Sequence, residues 1–366
     1  MNMKRNSLTK PRKLGYSFPP EWARQSGIWF SWPRPEGISF PAKYHTVPDN
    51  ICRIMHAIME HGRELVHINV ANENYEFIVR GHLKTARVPE SLVKKFVRFH
   101  FIKTNESWCR DHGPAFVVKQ TGSSRLAIVD WGFNAWGGKY PPFDSDDQVP
   151  TRVAEELGLP VFYPKHRGEG VVMEGGAVEF NGRGTILTTE SCLLNKNRNP
   201  GLSRNQIERY LKDYYGQRHV VWLGEGIVGD DTDGHIDDLA RFINPTTIVV
   251  AVEDDPRDGN YKILKENLRR ARTLRDHDGR PFDVVTVPMP GVVEHDGQRL
   301  PATYLNFLFI NNAVLVPTFG HKANDRKAVA ILQRHLPHHK VVPTRCTELI
   351  WGLGAIHCLT QQQPAV

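Results

Sequence analysis

The chain has 366 residues, 40% of them hydrophobic and 24% charged, with a formal net charge of +7. That profile is expected of a globular protein long enough to bury a large core. No apolar run nears the roughly 18–20 residues of a membrane span. The five cysteines are scattered and form no CxxC pair. They argue against a disulfide framework or a zinc site and for a reducing compartment, the cytoplasm.

The N-terminal stretch "MNMKRNSLTKPRKLGYS" is basic and lacks the apolar core of a secretory signal. Residues 1–17 are expected to form a flexible arm, and residues 18–366 one domain. From there strand-like runs alternate with amphipathic helical ones. "GIWFSWP", a helix over residues 50–61 and "RELVHINV" make a first strand–helix–strand unit. "RLAIVDWGF", "DDQVPTRVAEELG" and "LPVFYP" make a second. "GTILTT", "SRNQIERYLKDYYG" and "HVVWLG" make a third. "TTIVVAV", "YKILKENLRRART" and "FDVVTVP" make a fourth. "AVLVPTF", "DRKAVAILQRHL" and "KVVPTR" make a fifth. One such unit cannot close a core alone, so repeats must pack on one another. Five of them predict an α/β propeller with a central cavity. An open α/β sheet is the competing arrangement.

After the second strand of each unit comes a segment rich in glycine or polar residues, where a third strand is expected. Asp111, Glu174 and His235 fall in three of these segments, at roughly 60-residue spacings, and Cys358 lies about two spacings further on. In a radial array, equivalent positions meet near the axis, so these four residues are expected to share one cavity. The stretch "EGIVGDDTDGHIDD", residues 225–238, holds six carboxylates, one His and no Lys or Arg. A local inversion of sign in a basic protein wants a cation, either a metal or a cationic organic substrate. Asp230 and Asp238 read best as solvated loop residues. Metal is the weaker option, because the run lacks calcium-loop spacing and there is no HExxH. The one dense basic run, Lys265–Arg275, reads as a solvated helix face, which makes a nucleic-acid partner the weaker expectation.

A planar guanidinium suits these residues better. Asp111 and Asp237 could each accept one edge of its N–H fork, holding the central carbon for attack by the Cys358 thiolate. A bound guanidinium would favour that thiolate. His235 is the candidate general acid and base, and Glu174 its hydrogen-bonding partner. His357 is expected to face away from Cys358, as neighbours on a strand do. Cys109 should share the face of Asp111 and line the site at most.

Five stretches, "SWCRDHGP", "EGGAVEFNGRGTILTTESCLLNKNRNP", "DDTDGHIDDLARF", "YLNFLFINNAVLVPTFG" and "GLGAIHCLTQQQP", resemble the agmatine deiminase family of the guanidine-modifying (pentein) superfamily. The resemblance runs from about Phe18 to Gln363. It implies a five-bladed α/β propeller that hydrolyses agmatine to N-carbamoylputrescine and ammonia, without cofactor or metal, in a homodimer. By similarity Cys358 is the nucleophile, His235 the acid/base and Glu174 its partner, while Asp111 and Asp237 bind the guanidinium. Trp108 would line the pocket, and Glu225 and Asp231 would sit near the distal amine. Leu353 and Ala355 stand where the family is usually glycine-rich with an Asn, and His112 where Thr is common. The alternatives are deimination of arginine, peptidyl-arginine or a methylated arginine, amidino transfer to an amine, a non-catalytic binding module, and a papain-like amidase. A substrate bearing a carboxylate would call for an Arg in the pocket, and Arg110 and Arg241 are expected to point elsewhere.

Overall fold

A computed structural model of the protein describes residues 9–40, 43–122 and 124–366. Its backbone is dominated by five small sheets built to one plan. In each, a strand, a helix and a second strand follow in sequence, and the two strands pair in parallel. The strand–helix–strand sets are Gln25–Ser31, Val47–Ala57 and Leu65–Asn69; Leu126–Val129, Val149–Leu157 and Val161–Phe162; Thr185–Thr189, Arg204–Tyr214 and His219–Leu223; Thr247–Val252, Asn260–Thr273 and Asp283–Pro288; and Ala313–Thr318, Lys322–His335 and Lys340–Arg345. These are the five units read from the alternation of apolar runs.

The third strand of each sheet comes from the segment that follows the preceding unit. It does not join the unit it follows. It pairs antiparallel with the first strand of the next unit: Ala115–Val118 with Leu126–Val129, Glu179–Phe180 with Thr185–Thr189, Ala240–Asn244 with Thr247–Val252, and Leu308–Ile310 with Ala313–Thr318. The last such strand, Thr360–Pro364, returns to Gln25–Ser31 and completes the first sheet. A tight turn joins two antiparallel strands, whereas a parallel pair needs a long crossover, so local closure favours the following unit. The loop before each third strand is thereby left free to carry polar side chains. The first sheet also gains a fourth strand, Val97–His100, parallel to Leu65–Asn69.

The central strands read as near-continuous apolar runs because both faces are covered. Ile248, Val249 and Val250 are fully buried, as are Val314, Leu315 and Val316. The helices carry the expected end signals. Ser203 and Gln206 form a reciprocal capping box on Arg204–Tyr214, and Gly158 closes Val149–Leu157 in a left-handed conformation. The basic run around Lys265 is an ion-paired helix face, with Arg269 and Arg270 on Glu266 and Arg270 also on Glu190.

Part of the expected arm is docked. Pro11–Leu14 forms a short 3-10 helix, Lys10 pairs with Asp213, Tyr16 is buried, and Ser17 bridges to Val118. An aromatic anchor and an ion pair hold residues 9–17 to the domain. Residues 1–8 lie outside the described residues.

Candidate active site

Loops preceding four of the five third strands contribute to a cavity of about 180 Å³. Trp108, Asp111, Trp136, Asp231, Leu353 and Cys358 are among its lining. Asp111 comes from the short helical turn Cys109–His112 after the first unit. Glu174 precedes the turn Gly175–Ala177 after the second, and His235 and Asp237 sit at Ile236–Asp238 after the third. Cys358 lies in a turn before the last strand. All five are buried; of them Asp111 and Cys358 line the cavity, while Glu174, His235 and Asp237 lie behind that lining, so the expected sharing of one cavity holds for two of them.

Gly176 lets them meet. A Cβ at that position would lie 2.5 Å from His235 Nδ1, 3.0 Å from Asp111 Oδ1 and 3.1 Å from Asp237 Oδ2. Its backbone N–H also donates to Asp111 Oδ1 at 3.0 Å. Glycine is needed here for space, since any side chain would displace three functional groups.

The electrostatics are set by carboxylates around a thiol. Asp237 Oδ2 lies 4.0 Å from Cys358 Sγ. Burial pushes the Cys358 pKa well above the ordinary thiol value, and Asp237, Asp238 and Asp111 push it further. The thiol is neutral in the empty site. Burial likewise raises Asp111, with Asp237 and Glu174 adding to the effect and His235 opposing it. His235 behaves differently. Burial opposes a charged ring, yet Asp111, Cys192 and Glu174 bring its pKa well above the usual histidine value. Its Nδ1 is 3.7 Å from Asp111 Oδ1 and its Nε2 3.9 Å from Glu174 Oε2. The Glu174 contact is thus electrostatic proximity rather than a direct hydrogen bond. Burial tends to raise Glu174, but Arg198 and His235 hold it below its ordinary value, and Arg198 Nε donates to Glu174 Oε1 at 2.7 Å.

Several partners escaped the sequence reading. Asn306 Nδ2 donates to Cys358 Sγ at 3.0 Å and to Asp238 Oδ1 at 3.0 Å, and approaches Asp237 Oδ2 at 3.4 Å. It follows the fourth unit, the position equivalent to Asp111, Glu174, His235 and Cys358 in the others, and that equivalence was the available signal. Trp136 Nε1 donates to Asp111 Oδ2 at 2.9 Å. Two groups, Glu174–Cys192–His235 and Asp237–Asp238–Cys358, have ligand atoms close enough for a metal. Arg198 occupies the first carboxylate, and the Asn306 amide points a donor into the second, so both are already organised around N–H groups.

Other expectations are corrected. Asp238 is buried against Asn306, and burial followed by the charges of Asp237 and Asp230 raises its pKa well above normal. Asp230 is no solvated residue either: Oδ1 accepts from the Thr232 N–H at 2.8 Å and Oδ2 from the His235 N–H at 3.2 Å, which shapes the loop. Glu225 is exposed and lines no part of the cavity. Its backbone carbonyl accepts from Asn267, which turns the chain there. Asp231 does line the cavity, its carboxylate bonded to Tyr140, and Glu106 is a second acid on the wall. Trp108 lines it too, its Nε1 donating to Ser39 Oγ at 2.7 Å.

His357 lies with Cys358 in a turn rather than on a strand, so strand alternation does not apply; His357 Nδ1 is 2.6 Å and Cys358 Sγ 4.0 Å from the same oxygen, Asp237 Oδ2. Arg110 turns to Gln362 Oε1 and His357 O, and Arg241 to Glu179, Leu305 O and Phe307 O. Neither reaches the cavity. Cys109 is buried behind Gly113 and does not line it. Of the three residues that depart from the family pattern, Leu353 lines the wall with φ +67, a conformation that favours glycine. Ala355 is buried, and His112 points away, its Nε2 2.8 Å from Ser31 Oγ.

Residues 17–364 match the model of the Porphyromonas-type peptidyl-arginine deiminase family. The chain belongs to this family. Among curated members, the agmatine deiminase of Pseudomonas fluorescens is 37% identical over 383 residues, covering 97% of each chain. Among solved structures, the Enterococcus faecalis agmatine deiminase superposes with a TM-score of 0.87 at 31% identity, covering 99% of each chain. A Cys-to-Ser variant of the C. jejuni agmatine deiminase with substrate bound superposes with a TM-score of 0.82 at 30% identity, covering 95% of this chain and 96% of the other.

Proposed function

We propose that this protein is an agmatine deiminase, hydrolysing agmatine to N-carbamoylputrescine and ammonia in putrescine biosynthesis. The observation that carries the reading is a buried thiol with Asp111, Asp237 and Asp238 around it in a site whose cavity, among the described residues, is lined by no Lys or Arg. The identity to curated agmatine deiminases along the whole chain supports it. Residues 18–366 act as one catalytic unit, the five sheets stand around a common axis as blades of a propeller, and the enzyme works as a cytoplasmic homodimer.

Agmatine carries a guanidinium at one end and an ammonium at the other. The guanidinium enters between Asp111 and Asp237, whose oxygens accept its N–H groups in pairs. Its charge offsets the carboxylates that hold Cys358 neutral, so the thiol releases its proton to solvent as substrate binds. The thiolate attacks the central carbon, and the C–N double bond shifts its electron pair onto nitrogen. The protonated His235 then gives its proton to the departing nitrogen, which leaves as ammonia, and a cationic amidino-thioether remains. The neutral His235 next takes a proton from water and hydroxide adds to the same carbon; Cys358 then departs, the hydroxyl proton passes to its sulfur as the ureido C=O forms, and the neutral thiol and protonated His235 are restored. Glu174, fixed by Arg198, stabilises the charged His235. Acceptors, not oxyanion donors, dominate the site because the reacting group stays cationic or neutral.

Asp231 receives the distal ammonium, and Trp108 and Trp136 flank the aliphatic chain. Among the described residues no Lys or Arg lines the cavity. A substrate with an α-carboxylate would leave that charge unpaired, which favours agmatine over arginine. Release of ammonia and ureido product from agmatine, arginine and a peptidyl-arginine, assayed in parallel, tests this. Turnover of agmatine alone is expected. Turnover of arginine would keep the chemistry and overturn the substrate.

A further inference from the structure

The Asp237 carboxylate is held from the side away from the cavity. His357 Nδ1 lies 2.6 Å from Asp237 Oδ2, and His357 Nε2 lies 2.8 Å from Glu21 Oε2. Each ring nitrogen therefore faces a carboxylate oxygen, an acceptor when ionised. Glu21 is itself fixed, since its Oε2 pairs with Arg241 and its Oε1 accepts from the Phe309 N–H at 2.8 Å. All members of the chain are buried. At its far end Asp237 Oδ1 is buried without a hydrogen-bond partner. An unmet acceptor on a buried carboxylate is costly and marks a place where a donor belongs.

We propose that Glu21 and His357 are positioning residues that keep Asp237 ionised and in one orientation, leaving Oδ1 unengaged for the guanidinium of the substrate. The proposal rests on the reading of Asp237 as a guanidinium acceptor. It links the segment before the first strand, which does not line the cavity, to substrate affinity. Burial alone would raise the Asp237 pKa, but the His357 hydrogen bond and charge bring it below the ordinary carboxylate value. Other charges face the same groups. His235, Arg110 and Arg241 act on Asp237 as cations, with Asp238 and Cys358 nearby as acids. Glu179, paired with Arg241, acts on His357. Of these only Cys358 also donates to Asp237, through Sγ at 4.0 Å from Oδ2, against 2.6 Å for His357 Nδ1.

The test is agmatine binding to Cys358→Ala protein, measured by calorimetry from pH 8 to pH 5.5, with and without His357→Gln. The glutamine amide keeps a donor but cannot bridge both carboxylates as the ring does. Affinity is expected to fall about tenfold or more at pH 7, and to fall further as pH drops, because Asp237 now protonates more readily. With Cys358 intact, His357→Gln should raise KM more than it lowers kcat and move the acid limb of kcat/KM to higher pH. Glu21→Gln, which leaves the imidazole in place, should move both in the same direction by less, and it decides the matter if melting curves show His357→Gln unfolded. Unchanged affinity at every pH in a folded variant overturns the proposal alone. Failure of agmatine to bind even the Cys358→Ala parent overturns the functional reading and this proposal with it.

Discussion

Two clusters of buried carboxylates lie back to back in this protein, separated by the imidazole of His357. Behind it, Glu21 and Glu179 are matched by Arg241, which pairs with both and is fully buried. In front of it, Asp111, Asp237 and Asp238 gather around Cys358, and His235 acts on all three carboxylates. In the first cluster one guanidinium bridges both carboxylates, and the group reads as structure. The second is short of positive charge and is completed by something that arrives. A buried anion without its partner shifts its pKa or waits for a ligand, and the raised values of Asp111, Asp238 and Cys358 express that waiting state.

The largest effect should come from removing the thiol. Cys358→Ala is expected to drop ammonia release from agmatine to background while melting behaviour and agmatine binding persist. Loss of binding as well would overturn the reading of this cluster as a guanidinium site. In the first cluster, Arg241→Leu strands two buried carboxylates and should cost about 3–5 kcal/mol of stability, read as a lower urea midpoint. A variant as stable as the parent would show that the two clusters do not differ as described. Asp237→Asn should lower kcat/KM by about 10²–10³-fold with little change in melting. That is the reverse of the Arg241 outcome, and steady-state kinetics beside a thermal melt separate the two. Asp231→Asn should weaken agmatine about fivefold and leave a short alkylguanidine unchanged. Equal losses for both would remove Asp231 from the amine end.

The smallest effect concerns a carboxylate in neither cluster. Glu64 is buried with its Oε2 unpartnered, and burial pushes its pKa up to about 8 against the opposing Asn311 backbone bond. The folded protein keeps its proton where the unfolded chain, near 4.5, has lost it. Stability from this group is therefore present below pH 4.5 and declines as pH rises toward 8. Glu64→Gln should flatten that decline in denaturation curves taken between pH 5 and 8. An unchanged slope would show Glu64 to be ionised and paired.

The five strand–helix–strand units were legible because period and strand length are local properties of the chain. Asp111, Glu174, His235 and Cys358 were legible because the repeat spacing put them in equivalent loops. Asn306 was missed although it follows the fourth unit in the same way, because an amide carries no charge to attract notice. Glu225 and Asp231 could not be told apart from within one acidic run. Only the turn of the backbone at Glu225, held by Asn267, sends one to solvent and the other to the cavity wall. Glu21 and Arg241 were invisible as a pair, since 220 residues separate them.

By itself the sequence determined the repeating α/β units, the sign inversion in a basic protein and the residue types able to handle a guanidinium. Those follow from side-chain chemistry and short-range periodicity. The tertiary structure alone decided which sheet each third strand joins, which of the acids face the cavity, and which carboxylates have a cation of their own. These depend on contacts between residues remote in the chain, where burial removes water and a neighbour at about 3 Å sets the charge of its partner.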